Sequence, residues 1–296
     1  MLTHDRDHFF KYSTASTALK VIENGSFRWS TPTLFNDPFD HQQGYVLGSP
    51  KELEEQVTRS IFNFVYSDKE ITVAGEFADI MRSLRGGLRP LPINVVREIL
   101  GEADPMVAVR LFLNGMDDFN KRTIASLCHS RVFCVTEDWD NQVMWSHYAE
   151  EHRGVVFKLR CGEGISTRLN EAAQVHYTDQ FVQFPDLALL VEHAGGISTV
   201  NFSALALKLI CSKHLDWGYE KEWRVHHDLN LCEVEGDGYT FCPENPDVFE
   251  AVYLGCRMPD DQVANVRAAI REFLPATAVF RCKLKADSFG LTHYLL

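Results

Sequence analysis

Apolar and polar positions change rhythm along this chain, and each change predicts a different element. Phe9 to Ser13 reads as a strand, Ala15 to Asn24 as a helix with Leu19, Val21 and Ile22 as its apolar residues, and Phe27 to Ser30 as a second strand. Gly25 stands where a helix C-cap takes a left-handed backbone, and Ser13 or Thr14 can cap the other end. From about residue 50 to about residue 128 the spacing turns helical: Leu53, Val57, Ile61 and Phe64 recur at three and four residues, and a second stripe runs from Val107 to Leu127. The segment Arg85-Gly86-Gly87-Leu88-Arg89-Pro90 breaks that run.

Strand signals return at Val132 to Thr136, Gly154 to Leu159 and Ala173 to Tyr177, with a helix at Gln142 to Glu151 between the first two. A helix over about Thr199 to Lys213 follows, then strands at Glu222 to His227 and Ala251 to Leu254, a helix at Asp260 to Phe273, and a strand at Thr277 to Lys283. Irregular alternation with hairpin-like neighbours predicts an α+β fold with a central, mostly antiparallel sheet rather than a doubly wound parallel one. The expected organisation is a single domain over residues 1–296 with a helical insertion at about 50–128. The sequence holds no G-x-G-x-x-G and no P-loop.

Composition narrows the function more than the fold. At 296 residues, 45% hydrophobic and 24% charged, the chain is long enough to bury a full core. A net charge of -12 with scattered basic residues argues against a long duplex nucleic acid and favours a small ligand, with room for a local cationic site for a phosphate. Eight cysteines without a C-x-x-C pair or a Cys/His cluster at zinc spacing predict reduced, packing thiols and no structural metal. The start lacks an apolar signal core, and no run approaches the ~18 apolar residues of a membrane span, so a cytoplasmic protein without a membrane partner is expected.

Three boxes carry the candidate chemistry. In Asn36-Asp37-Pro38-Phe39-Asp40, proline keeps Asp37 out of the helical region and Asn and Asp side chains can cap their own backbone, which makes a stiff turn. That turn is either purely structural, anchored by Trp29, Phe35 and Phe39, or a rigid loop that offers Asn36, Asp37 and Asp40 to a ligand. In Met144-Trp145-Ser146-His147-Tyr148, helical spacing sets Met144, His147 and Tyr148 on one face with Trp145 beside it, either core or a stacking surface with an imidazole. In Tyr219-Glu220-Lys221-Glu222-Trp223-Arg224, a strand would put Glu220, Glu222 and Arg224 on one side and Lys221 and Trp223 on the other. Adjacent carboxylates push one pKa up while the arginine holds the other ionised, which splits them into acid and base; the bland alternative is a surface salt bridge.

These boxes, with Lys11-Tyr12, the Trp29-Ser30 strand end, the Thr136 region, and His152 and Gly154, resemble the bacterial domain of unknown function 2971 over about residues 9 to 285. That resemblance implies which residues matter but no activity. More distantly the chain resembles the ADP-ribosyltransferase superfamily, whose members open on a strand with a basic residue, continue through a helix to a Gly-led strand, and close on a strand bearing Glu-x-Glu. Lys11-Tyr12, Gly25 to Ser30 and Glu220-Lys221-Glu222 stand in those places, with Lys for the usual Arg or His and Trp29-Ser30-Thr31 for a Ser-Thr-Ser triplet.

What this second resemblance implies is an ADP-ribosyltransferase-like fold and an enzyme, a transferase or glycohydrolase, that cleaves the nicotinamide N-glycosidic bond of NAD, as a bacterial toxin or phage-defence effector. In that reading Glu222 holds the ribose hydroxyl, Glu220 orients or deprotonates an unknown macromolecular acceptor, and His147 and Tyr148 complete the catalytic group. Lys11 or Arg224 meets the pyrophosphate, Trp145 or Tyr12 stacks on nicotinamide, and Ser30, Asn36, Asp37 and Asp40 line the nucleotide site. Neutralising Glu222 is then expected to abolish activity while sparing stability, by relieving repulsion. The rival readings are a metal-dependent hydrolase or nuclease using Asp37, Asp40 and His147, and a ligand-sensing or protein-interaction module in stress or phage response.

Overall fold

The computed structural model describes residues 3–40, 44–46, 49–72, 76–102, 106–184, 189, 192–193, 200–227 and 238–296. Its elements run β1 (His8–Ser13), α1 (Ala15–Asn24), β2 (Ser26–Ser30), α2 (Pro50–Tyr66), α3 (Glu76–Leu88), α4 (Ile93–Glu102), α5 (Met106–His129), β3 (Arg131–Thr136), α6 (Gln142–Tyr148) and β4 (Val155–Arg160). They continue with β5 (Ala173–Gln174), β6 (His176–Thr178), α7 (Phe202–Ile210), β7 (Ser212–His214), β8 (Glu222–His227), β9 (Tyr239–Pro243), β10 (Phe249–Leu254), α8 (Asp260–Phe273), β11 (Ala278–Leu284) and β12 (Leu291–Leu295).

Two compact units result, one from Met1–Gln42, Leu127–Gln180 and Ile210–Leu296, the other from Gln43–Ser126 and Phe181–Leu209. The second unit is helical. Its α2 begins in a reciprocal cap in which the Ser49 hydroxyl accepts from the Glu52 N–H while Glu52 reaches back to the Ser49 N–H. Helix α3 runs through Gly86 and Gly87 to Leu88, so the break falls within the expected segment, at Arg89-Pro90.

The first unit is α+β. Among the described residues a 10-stranded sheet runs β12-β11-β10-β4-β1-β3-β2-β9, with β8 on β3 and β5 on β8; within it only β10 and β11 pair in parallel, and β6 and β7 form a separate parallel pair. Strand β3 is where the sheet divides: it meets β1 through Phe10↔Thr136 and β2 through Ser30↔Val132, whereas it pairs with β8 along its length from Arg131↔His227 to Thr136↔Glu222.

Period-two alternation decides which core each side chain enters. Phe9, Val155, Phe157, Val252 and Leu254 join the larger core, to which α8 adds Val263, Val266 and Ile270 and α1 adds Ala18, Val21 and Ile22. Phe10, Tyr12, Val156 and Tyr253 point the other way, into a second core with Met144 and Trp145 of α6. The opening strand–helix–strand unit forms as its capping residues dictate: the Thr14 hydroxyl accepts from the Thr17 N–H, and Gly25 adopts φ 59°, where an L side chain is strained.

Three of the boundaries that differ from the sequence expectation lie around the candidate site. Helix α6 stops at Tyr148 instead of Glu151, because Glu150, Glu151 and His152 take φ of 56°, 53° and 69°. The expected strand Ala173 to Tyr177 is two, β5 on the main sheet and β6 paired with β7. The expected helix to Lys213 ends at Ile210, and Lys213 sits in β7. Every cysteine among the described residues is a free thiol, with burial pushing Cys161 and Cys211 up to about 11; Cys232 lies outside the described residues. No helix among them is long and apolar enough to cross a membrane.

Candidate active site

Strand β8 and the 3-10 turn before it, Leu215–Glu220, supply Glu220, Glu222 and Arg224, which meet Asp40 and the Lys213 of β7 in a cluster of three carboxylates and two cations. Glu220, Glu222 and Arg224 share a side, as alternation along a strand predicts, but the backbone route differs. Glu220 belongs to the turn, and Lys221 at φ 43° swings it round to Glu222's side; a Lys221–Asp138 ion pair at 2.7 Å holds that left-handed residue. Trp223 points the other way, its indole N–H donating to Glu137 and its rings on Phe9.

The inner part of the cluster is sealed. Asp40 takes the Arg224 guanidinium in a two-pronged pair, Nη1 to Oδ1 at 2.8 Å and Nη2 to Oδ2 at 2.6 Å, and the same guanidinium donates to Glu222 through Nε at 2.8 Å and Nη2 at 3.0 Å and to the Ile210 carbonyl at 2.6 Å. Lys213 bridges inner and outer parts, 2.9 Å from Glu222 and 2.5 Å from Glu220, with Asp40 at 4.0 Å and the Trp217 ring under its ammonium. Asp40, Lys213, Glu220, Glu222 and Arg224 are all buried.

The outer part opens to solvent through Tyr148. Its hydroxyl donates to Glu220 Oε1 at 2.6 Å and accepts from the Asn36 amide at 3.2 Å. Tyr219 lies 3.4 Å from His147 Nδ1, and both His147 and Asn36 are exposed. Asn141 assembles this side: its side-chain oxygen caps α6 on Val143 and Met144 while its amide donates to the Tyr219 carbonyl. Tyr177, half-buried, accepts the Glu222 N–H at 2.8 Å, and partial burial drives its phenol up to about 12.

The two glutamates are electrostatically unlike. Burial pushes Glu222 up, but Arg224 and then Lys213 outweigh it and hold the carboxyl well below the usual carboxylate range. Burial also pushes Glu220 up; Lys213 pulls it back and Glu222 pushes it up again, leaving it raised. Lys213 and Arg224 are both raised, their carboxylate partners overriding burial. The Tyr148 phenol is raised by burial and then by its bond to Glu220, so it is a neutral donor.

The sequence-predicted residues fall into three groups. Asn36, Asp40, His147, Tyr148, Glu220, Glu222 and Arg224 join this cluster or its rim. Asp37 instead closes its own turn, Oδ1 accepting from the Phe39 N–H at 2.9 Å, and Ser30 ends β2 between Val132 and Tyr239 outside the cluster's hydrogen bonds. Tyr12 and Trp145 pack edge-on in the second core, the tyrosine hydroxyl on Asp138 and Asn141 and the indole N–H on the Trp139 carbonyl. Trp145 is 0% exposed, so no face of it is open for stacking. Lys11 donates to the Cys134 carbonyl at 2.6 Å, and burial pushes its ammonium below its usual range. Lys213 and Tyr177 had no signal in the sequence. A lysine after an apolar helix reads as a basic last turn, and only the pairing of β6 with β7 turns it inward.

This is an α+β protein with an open, mostly antiparallel sheet and a buried charged cluster that reaches the surface through a tyrosine. Residues 144–225, which run from Met144 through Glu220, Glu222 and Arg224, match the family model described as "Protein of unknown function (DUF2971)". No curated protein and no solved structure matches the chain.

Proposed function

We propose that the chain is an NAD-consuming enzyme that breaks the nicotinamide N-glycosidic bond, in the manner of the ADP-ribosyltransferases, with Glu220 and Tyr148 as its acid–base couple. The observation that carries this reading is the 2.6 Å bond from the Tyr148 hydroxyl to a buried carboxyl whose pKa is raised, with the same hydroxyl reachable from solvent beside Asn36. A carboxyl raised towards the working pH is suited to take up and return a proton, and the phenol carries that proton across one hydrogen bond. The division of the sheet at β3 and the order of Lys11, Gly25 and Glu220-Lys221-Glu222 support the same reading.

In this mechanism the C1′–N bond breaks with its electron pair passing to the nicotinamide nitrogen. The oxocarbenium-like centre forms beside the Tyr148 oxygen, polarised by Glu220. Water or an acceptor nucleophile attacks C1′, and its proton moves to Tyr148 as the phenolic proton moves to Glu220. Glu222 does not touch the ribose here: both its oxygens are engaged by Arg224 and Lys213, and it holds the cluster in place. The metal-hydrolase alternative loses its ligands in the same way, since Asp40 is gripped by Arg224 and Asp37 by its own turn.

The test is release of free nicotinamide from NAD, followed by mass spectrometry. Wild-type protein is expected to release it and Glu220→Gln and Tyr148→Phe to be slower by ~10² or more. Absence of release by the folded wild-type protein removes the enzyme reading and leaves the ligand-sensing module, which the saturation of Glu222 and Asp40 by cations independently favours.

A further inference from the structure

Helix α6 carries Tyr148 at its last residue, and its first, Gln142, lines a second cleft of about 780 Å³ in the same unit. The cleft is walled by His152, by Cys256 and Arg257 after β10, and by the β11–β12 hairpin from Leu284 to Leu291. Its size falls in the range of small-molecule pockets.

His152 is held there at a cost. Glu150, Glu151 and His152 are three consecutive non-glycine residues with positive φ, a conformation that costs on the order of 1–2 kcal/mol per residue. Backbone bonds from Glu151 to the Ser146 carbonyl, His152 to Trp145 and Arg257 to His152 over-determine the turn. Glycine is required at 154 and 255, where an added Cβ would fall 2.2 Å from the Ser13 carbonyl oxygen and 2.0 Å from that of His152. The imidazole lies stacked on Trp145, 5.9 Å between centroids and 7° from parallel, and its Nδ1 is buried with no hydrogen-bond partner.

Around it the charge is unspent. In a chain of net charge -12, neither Arg257 nor Lys285 forms an ion pair among the described residues, and Asp287 is the acidic group in the wall. Lys285 is laid against Gly290, where a Cβ would come within 3.3 Å of its side chain. Apolar surface is open beside these cations, with Leu284 70% and Phe289 103% exposed.

We infer that this cleft binds a small phosphate monoester with an apolar body, Arg257 and Lys285 meeting the phosphate, His152 forming part of the wall, and Leu284 and Phe289 covering the apolar part. The inference does not depend on the NAD reading.

Calorimetric titration of the full chain with phenyl phosphate tests it, with inorganic phosphate as a second arm. Saturable one-to-one binding is expected, weakened about tenfold or more in the double variant Arg257→Gln/Lys285→Gln and unchanged in Tyr148→Phe. Phe289→Ala is expected to weaken phenyl phosphate and leave inorganic phosphate as it was. Arg257, Lys285 and Phe289 are exposed, and melting curves verify that the variants fold. No saturable binding by the wild-type chain, equal binding by the double variant, or binding lost only in Tyr148→Phe overturns the assignment.

Discussion

Glu222 and Glu220 share one lysine and stand two positions apart, yet the two regions of the cluster they anchor are built differently. Around Glu222, Asp40, Arg224 and Lys213 leave no carboxylate oxygen without a cation, and the group is closed to solvent. Around Glu220, one oxygen takes Lys213 and the other takes a neutral phenol that leads outward to Asn36. In the inner region, removing any one partner leaves a buried charge uncompensated. In the proposed mechanism proton movement and ligand contact fall to the outer region, which can lose a bond without stranding an ion.

The sharpest way to break that contrast is Arg224→Met, which leaves Asp40 and Glu222 buried without their main cation. A loss of about 3 to 5 kcal/mol is expected in denaturant unfolding, and Glu222→Gln, by unsettling the same ion pairs, should also destabilise the protein. This reverses the sequence expectation that neutralising Glu222 spares stability: the carboxylate is answered by two cations, so relief of repulsion does not dominate. A midpoint for Glu222→Gln equal to the wild type's would return Glu222 to the catalytic role.

Tyr148→Phe acts on the other region and is expected to separate activity from stability. Nicotinamide release should fall by ~10² to 10³, while stability drops by only about 1 kcal/mol, the cost of one hydrogen bond to Glu220. A variant that unfolds more readily but keeps full turnover contradicts the acid–base couple.

Acid titration sharpens the comparison further, since the two glutamates have opposite linkage. The Glu222 pKa is lowered in the fold, so its stabilisation is present above the unfolded value of about 4.3 and is lost as pH falls below it towards the folded value. The Glu220 pKa is raised, so its contribution is present below about 4.3 and is lost as pH rises through the raised folded value. Urea midpoints across acid to neutral pH should therefore lose their acid-side decline in Glu222→Gln and their higher-pH decline in Glu220→Gln. Identical pH profiles for the two variants would refute the division.

The smallest effect is expected from His147→Ala. His147 is exposed and its one hydrogen bond among the described residues is the long contact to Tyr219, so stability should stay within about 0.5 kcal/mol by thermal melting. A larger loss would move His147 into the structural part of the cluster.

Much of this arrangement was legible in local pattern. Alternation put Glu222 and Arg224 on one side of a strand and Trp223 on the other, and β8 spans the predicted residues Glu222–His227. The turn chemistry of Asn36 to Asp40 and the caps at Thr14 and Gly25 depend on residues a few positions apart, and they formed as read. The end of α6 was not legible, because nothing nearby in sequence announces three left-handed residues; they are held by backbone bonds to Trp145, Ser146 and Arg257 and by glycines that let two chain segments touch.

What the sequence by itself determined was which side chains share a face, since that follows from the two-residue period of a strand and the turn of a helix. Which faces meet was decided by the tertiary structure. Asp40 reaches Arg224 across 184 positions, Tyr148 reaches Glu220 across 72, and Lys213 enters the cluster because β7 pairs with β6 instead of extending a helix. Those meetings depend on strand order and long-range pairing, which no local period encodes, and they hold one glutamate's pKa down among cations while leaving the other's raised beside a neutral phenol.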